Sequence, residues 1–123
     1  MTPDPIALSA GLNQNFQLFR AEDKVLLVDA TGYDLSTTLA IEWWLARSPY
    51  SVIEDVFITK TKTDGIEVTD SSLEITIDGA DTAALKPDIY YHELRLTLAD
   101  ATVKVAMTGN VLIRMSLENE VTP

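Results

Sequence analysis

The sequence predicts an all-β fold, an antiparallel β-sandwich built on a single domain. Three observations predict it. Apolar and polar residues alternate at period two over most of the chain, as in Leu73, Ile75 and Ile77 against Glu74 and Thr76. Turn residues recur at intervals of about 8–12 positions. No helical pattern is long enough to cross over between parallel strands. The 123 residues fit one domain with a buried core.

Each element has its own reason. Residues 1–14 carry Pro3 and Pro5, followed by Ala10-Gly11 and Asn13-Gln14. Proline fixes φ and donates nothing to a ladder, so this stretch reads as an extended N-terminal arm. Ile6, Ala7 and Leu8 give the arm a small apolar patch, either for a neighbouring molecule or on a frayed terminus. Residues 15–117 read as the sandwich, and 118–123 as a loose polar tail. Phe16 and Leu18 open the first strand. Val25 to Val28 is an apolar run between turn residues, which fits a buried strand. Leu39, Ile41, Trp43 and Leu45 share one face of the next, with Ala40, Glu42, Trp44 and Ala46 on the other. Val56 and Ile58 make another strand, with Phe57 on its opposite face. Thr63-Asp64-Gly65 turns the chain, because glycine accepts positive φ. Ile66 with Val68, and Leu73 to Ile77, follow as two strands. Asp81 to Leu85 reads as one helical turn, capped by Asp78 or Asp81 and stopped at Lys86-Pro87. A long strand then places Tyr90, His92, Leu94 and Leu96 on one face and Tyr91, Glu93 and Arg95 on the other. Val103, Val105 and Met107 make the penultimate strand. Gly109 interrupts, and Val111, Ile113 and Met115 make the last. The total is about eight short strands with regular turns, the pattern of an immunoglobulin-like sandwich.

Composition excludes several function classes. Nineteen acidic residues against nine basic ones give a formal net charge of −10. Such a surface does not displace counterions from phosphates, so nucleic acid is not a partner. Nor does it favour an anionic membrane face, and no run approaches the roughly 20 apolar residues of a membrane span. Cysteine is absent, which removes disulfides, thiolate nucleophiles and cysteine metal sites. The start, Met1 to Pro5, lacks a basic region and a long apolar run, so no signal peptide is expected.

His92 is the only imidazole, and parity points it inward, away from Glu93. It reads as a structural histidine, and no catalytic residue is assigned. The acidic pairs Glu22-Asp23 and Glu54-Asp55, and Asp78 with Asp81, do not repeat at calcium-loop spacing. They read as caps and turns, and no metal or cofactor is expected. Trp43-Trp44 is the most informative dipeptide. Trp43 falls with the core residues and Trp44 faces outward beside Ala40 and Ala46. An outward Trp suits an interface anchor; cover by the arm and stacking on a sugar are the alternatives. Phe19, Leu26, Val28, Phe57 and Leu112 sit off the main apolar parity, and the mean hydropathy is +0.08. Together they imply a second buried face, most simply a subunit contact. The interface candidates are Ile6, Leu8, Trp44 and Phe57.

The order of turns and strands resembles one family. The segments are Arg20-Ala21-Glu22-Asp23, Asp29 to Leu35 ahead of the aromatic strand, Thr61 to Ile66, Ile75 to Asp78 with Asp81 to Leu85, Tyr90 to Leu94, and Gly109 to Ile113. This pattern, over residues 15–115, is similar to the small β-sandwich structural proteins of tailed phages and prophages, in particular the N-terminal domain of the baseplate upper protein family. The chain departs from that pattern at Asp88-Ile89 and at Asp100-Ala101-Thr102, where the family carries glycine. The resemblance implies a virion structural protein, an adaptor or ring subunit of tail, baseplate, neck or head surface. It would be assembled in the host cytoplasm and would not be an enzyme. Its partners would be other virion proteins and itself, as a homo-oligomer. The alternative is a carbohydrate- or receptor-binding module of a virion, with Trp44, Tyr50, Tyr33 and Tyr91 as its stacking platform. A small hydrolase using acidic residues is a third reading.

Overall fold

Two β-sheets pack face to face in the structure, a computed structural model that describes residues 5–49 and 55–115. The strands are β1 (Pro5–Ser9), β2 (Phe16–Phe19), β3 (Lys24–Asp29), β4 (Ala40–Ala46), β5 (Val56–Thr61), β6 (Ile66–Thr69), β7 (Ser72–Ile77), β8 (Asp88–Thr97) and β9 (Val103–Arg114). One short helix, α1 (Gly79–Thr82), joins β7 to β8, and a 3-10 turn spans Leu35–Thr37. The back sheet has the order β1-β3-β7-β6 and the front sheet β2-β9-β8-β4-β5. Tyr50, Glu54 and the tail 118–123 fall outside the described residues.

The core forms because each strand's apolar parity faces the other sheet. Leu26, Val28, Leu73, Ile75 and Ile77 of the back sheet meet Ile41, Trp43, Leu45, Leu94, Leu96, Val111 and Ile113 of the front sheet. The order β3-β7-β6 against β9-β8-β4-β5 is that of the B, E, D and G, F, C, C′ strands of an immunoglobulin variable-type sandwich. Two side chains repeat features of that fold. Trp43 is buried on the strand in the C position. The Tyr90 hydroxyl, near the start of the strand in the F position, donates to the Lys86 carbonyl at 2.7 Å, which is the tyrosine corner. Antibody domains place a cysteine two residues after that tyrosine; here the position holds His92.

Several expectations are corrected. The stretch read as an arm contains β1, a ninth strand, paired in parallel with β3 from Pro5↔Val25 to Ser9↔Asp29. Pro5 is tolerated because it starts an edge strand, where its missing N–H is not needed. Leu8 is buried and Ile6 packs against the core. The sheets are therefore mixed, since β2 also runs parallel to β9. Between β1 and β2 the chain crosses from one sheet to the other, held by backbone bonds from Gly11 N–H to the Ala106 carbonyl and from Gln14 N–H to the Thr108 carbonyl. Leu26 and Val28 lie on the core parity and Leu27 faces out. Leu39 precedes β4 and is 63 % exposed, not buried with Ile41. The last two expected strands are one continuous β9. A bulge at Ala106, opposite the Leu94/Arg95 step, reverses its parity. Val103 and Val105 therefore share the outer face with Thr97 and Arg95, while Met107 points in. A second bulge, at the Leu45/Ala46 step, lets Phe57 turn onto the Tyr90 ring.

Candidate functional site

His92 is placed by β8 on the inner face of the front sheet and is fully buried. Trp43 Nε1–H donates to His92 Nδ1 at 3.0 Å. An indole only donates, so Nδ1 carries the lone pair and the proton sits on Nε2. Nε2 lies 2.6 Å from the Gln14 carbonyl and donates to it. The Phe16 ring stands edge-on at 4.9 Å. Burial holds the imidazole below its usual pKa, with the Gln14 bond opposing that shift in part. Gly109 makes room for this group. A Cβ there would meet the Gln14 carbonyl and lie 2.9 Å from His92 Nε2. Both ring nitrogens are thus engaged with the chain itself, and acid–base work would require His92 to leave the core.

Glu22-Asp23 lies between β2 and β3, and Asp78 with Asp81 lies at the start of α1. Asp23 accepts from Gly79 N–H at 2.7 Å, tying the β2–β3 turn to the start of α1. The Asp81 carboxylate accepts from Asp78 N–H at 2.8 Å and pairs with Lys60 at 2.8 Å. Glu22 accepts from Phe19 N–H. Among the described residues no three His, Cys, Asp or Glu side chains come together as a metal site.

The remaining chemistry lies on the outer face of the front sheet. Trp44 faces outward from β4, and the Arg95 guanidinium lies over its ring at 4.7 Å. Arg95 also pairs with Glu93 at 2.9 Å, and Glu93 accepts from the Tyr91 hydroxyl at 2.8 Å. Burial first, then the Glu93 bond and charge, push the Tyr91 hydroxyl above its usual pKa. Trp44 is therefore a half-buried member of a connected row rather than a free ring. Thr59, Thr108 and Asn110 stand in register with Trp44, Glu93 and Tyr91, and the apolar side chains lie toward the two ends of the face. Phe19, Leu112 and Ile89 cluster at one end, in the pairs Phe19↔Arg114 and Ile89↔Leu112, and Val103 and Val105 lie at the other.

The interface candidates do not come together. Trp44 alone lies on this face. Ile6 and Leu8 pack inward from the back sheet, and Phe57 stands edge-on to Tyr90 at 5.5 Å under Arg47. Tyr91 shares the face with Trp44, but Tyr33 packs against the core after β3, beside a depression of about 350 Å³ that it lines with Leu98 and Asp100. Sequence reasoning left out Ile89, Val103 and Val105. Ile89 was legible, since Tyr90 inward means Ile89 outward. The two valines were hidden by the bulge, which leaves no residue signature.

No family model matches the chain, and no curated protein matches it significantly.

Proposed function

We propose that this chain is an assembly subunit, an adaptor or ring component of a tailed-phage particle that docks on other proteins and on copies of itself. The observation that carries this reading is the set of exposed apolar side chains on the outer face of the front sheet, with Phe19, Ile89 and Leu112 at one end and Val103 and Val105 at the other of the Trp44–Arg95–Glu93–Tyr91 row. Apolar side chains grouped around an aromatic–arginine centre with a polar network are what subunit contacts use. The likeness of the turns and strands to the baseplate upper protein family suggests the kind of particle. Sugar binding is the alternative, supported by Trp44 and Tyr91 on one face. Arg95 over the Trp44 ring weighs against it, because it occupies a surface on which a sugar would stack. The test is quantitative mass spectrometry of density-banded particles. An assembly subunit is expected at a fixed ratio to the other structural proteins through successive bands. Loss of the chain from banded particles, with binding on a glycan array, would replace this reading with the sugar-binding one.

A further inference from the structure

We propose that two copies of this chain dock on each other through the outer faces of their front sheets, in a twofold contact centred on Trp44, Glu93 and Arg95. This rests on the assembly reading and names its surface and its first partner.

Exposed apolar area is concentrated there. Of the nine large apolar side chains exposed among the described residues, five lie on this face: Phe19, Ile89, Val103, Val105 and Leu112. Leu27 is the one such side chain on the outer face of the back sheet. The face has the right extent. Strands about 4.8 Å apart, rising about 3.4 Å per residue, make the five strands, of four to twelve residues, a face roughly 24 Å square. The flat area is about 600 Å², to which side-chain relief adds, against the about 800 Å² per partner of a standard contact and the about 500 Å² per partner at which a specific one begins.

Charge selects the occupant. The chain carries −10 overall, so copies repel unless they meet where the local charge vanishes. The outward register positions of the front sheet hold Glu42 and Glu93 against Arg95 and Arg114, which is balanced. Those of the back sheet hold Asp29, Glu67 and Glu74 and no basic residue, with Glu67 directly opposite Glu74. A basic partner would be drawn to the back sheet. A neutral face bearing both signs side by side, at Glu93 and Arg95, complements a rotated copy of itself, as an isologous contact requires.

The test is light scattering on the full chain across about 1 to 100 μM. The wild type is expected to reach twice the 13.5 kDa chain mass. Ile89→Glu with Leu112→Glu places charge on exposed positions and is expected to weaken the dimer about a hundredfold with unchanged circular dichroism. Val105→Glu, at the far end of the face, is a second probe should the double variant fold poorly. Leu27→Glu on the back sheet should leave the dimer intact. A wild type that stays monomeric across the range, or a dimer lost in Leu27→Glu but kept in the front-sheet variants, overturns the contact. A monomer that still bands with particles would remove this contact and leave the assembly reading standing. A dimer absent from particles would keep the contact and remove that reading.

Discussion

Trp43, His92 and the Gln14 carbonyl form one chain of donors and acceptors through the core, and its energetics are asymmetric. Replacing His92 by leucine fills the space but strands the Trp43 N–H and the Gln14 carbonyl. A buried N–H and a part-buried carbonyl without partners should cost about 1–4 kcal/mol, read as a lower urea midpoint. The same imidazole sets a pH dependence. Its pKa is lowered in the folded state, so the unfolded chain binds the proton more readily. Stability from this group is full above the unfolded value of 6.5 and is lost as the pH falls through and below it. Urea midpoints compared at about pH 7.5 and about pH 5.5 should drop in the wild type and drop less in His92→Leu. Gly109→Ala would drive a methyl into the Gln14 carbonyl and should cost about 1–3 kcal/mol. Period-two alternation made His92's inward direction legible. Its acceptor was not legible, because the Gln14 carbonyl comes from a crossing segment 78 positions away and backbone carbonyls have no residue code.

At the scale of elements, β1 and β9 carry the differences from the sequence reading. Two prolines near the start suggested a segment that pairs with nothing, yet Ile6 and Leu8 alternate like any edge strand. Leu8 is 7 % exposed, so Leu8→Ala should lower stability by about 2 kcal/mol in a denaturant titration, whereas a loose arm would give no change. In β9 the alternation from Val103 to Met107 looks unbroken, and only pairing against β8 reveals the extra residue at Ala106. Bulges are set by the partner strand, so one strand's pattern cannot announce them. The β7–β8 corner was more legible. Asp81, expected as a cap or turn residue, does accept from Asp78 N–H, and the helical turn was placed within a few residues of α1.

For the whole molecule, the two-sheet class was legible because alternation, turn spacing and the lack of a long helix all pointed the same way. Sheet order was not, since nothing local states which strands become neighbours. The excess of acidic residues should destabilise the fold through self-repulsion. Raising NaCl from about 20 mM to about 300 mM should therefore raise the thermal midpoint. The pairing of β2 with β9 has a consequence for how the protein is made. β2 lies near the beginning of the chain, and its neighbour in the front sheet ends at Arg114; Asn15 accepts from Asn110 across 95 positions. β3 likewise waits for β7. A growing chain on the ribosome can pair β1 with β3 early, but it carries β2 without its sheet neighbour for most of translation, and the front sheet closes only when β9 has emerged. Until then Leu18 has no sheet to join and the core lacks Met107, Val111 and Ile113, so nascent chains halted before Val103 should be protease-sensitive and chaperone-bound, and those released after Arg114 resistant.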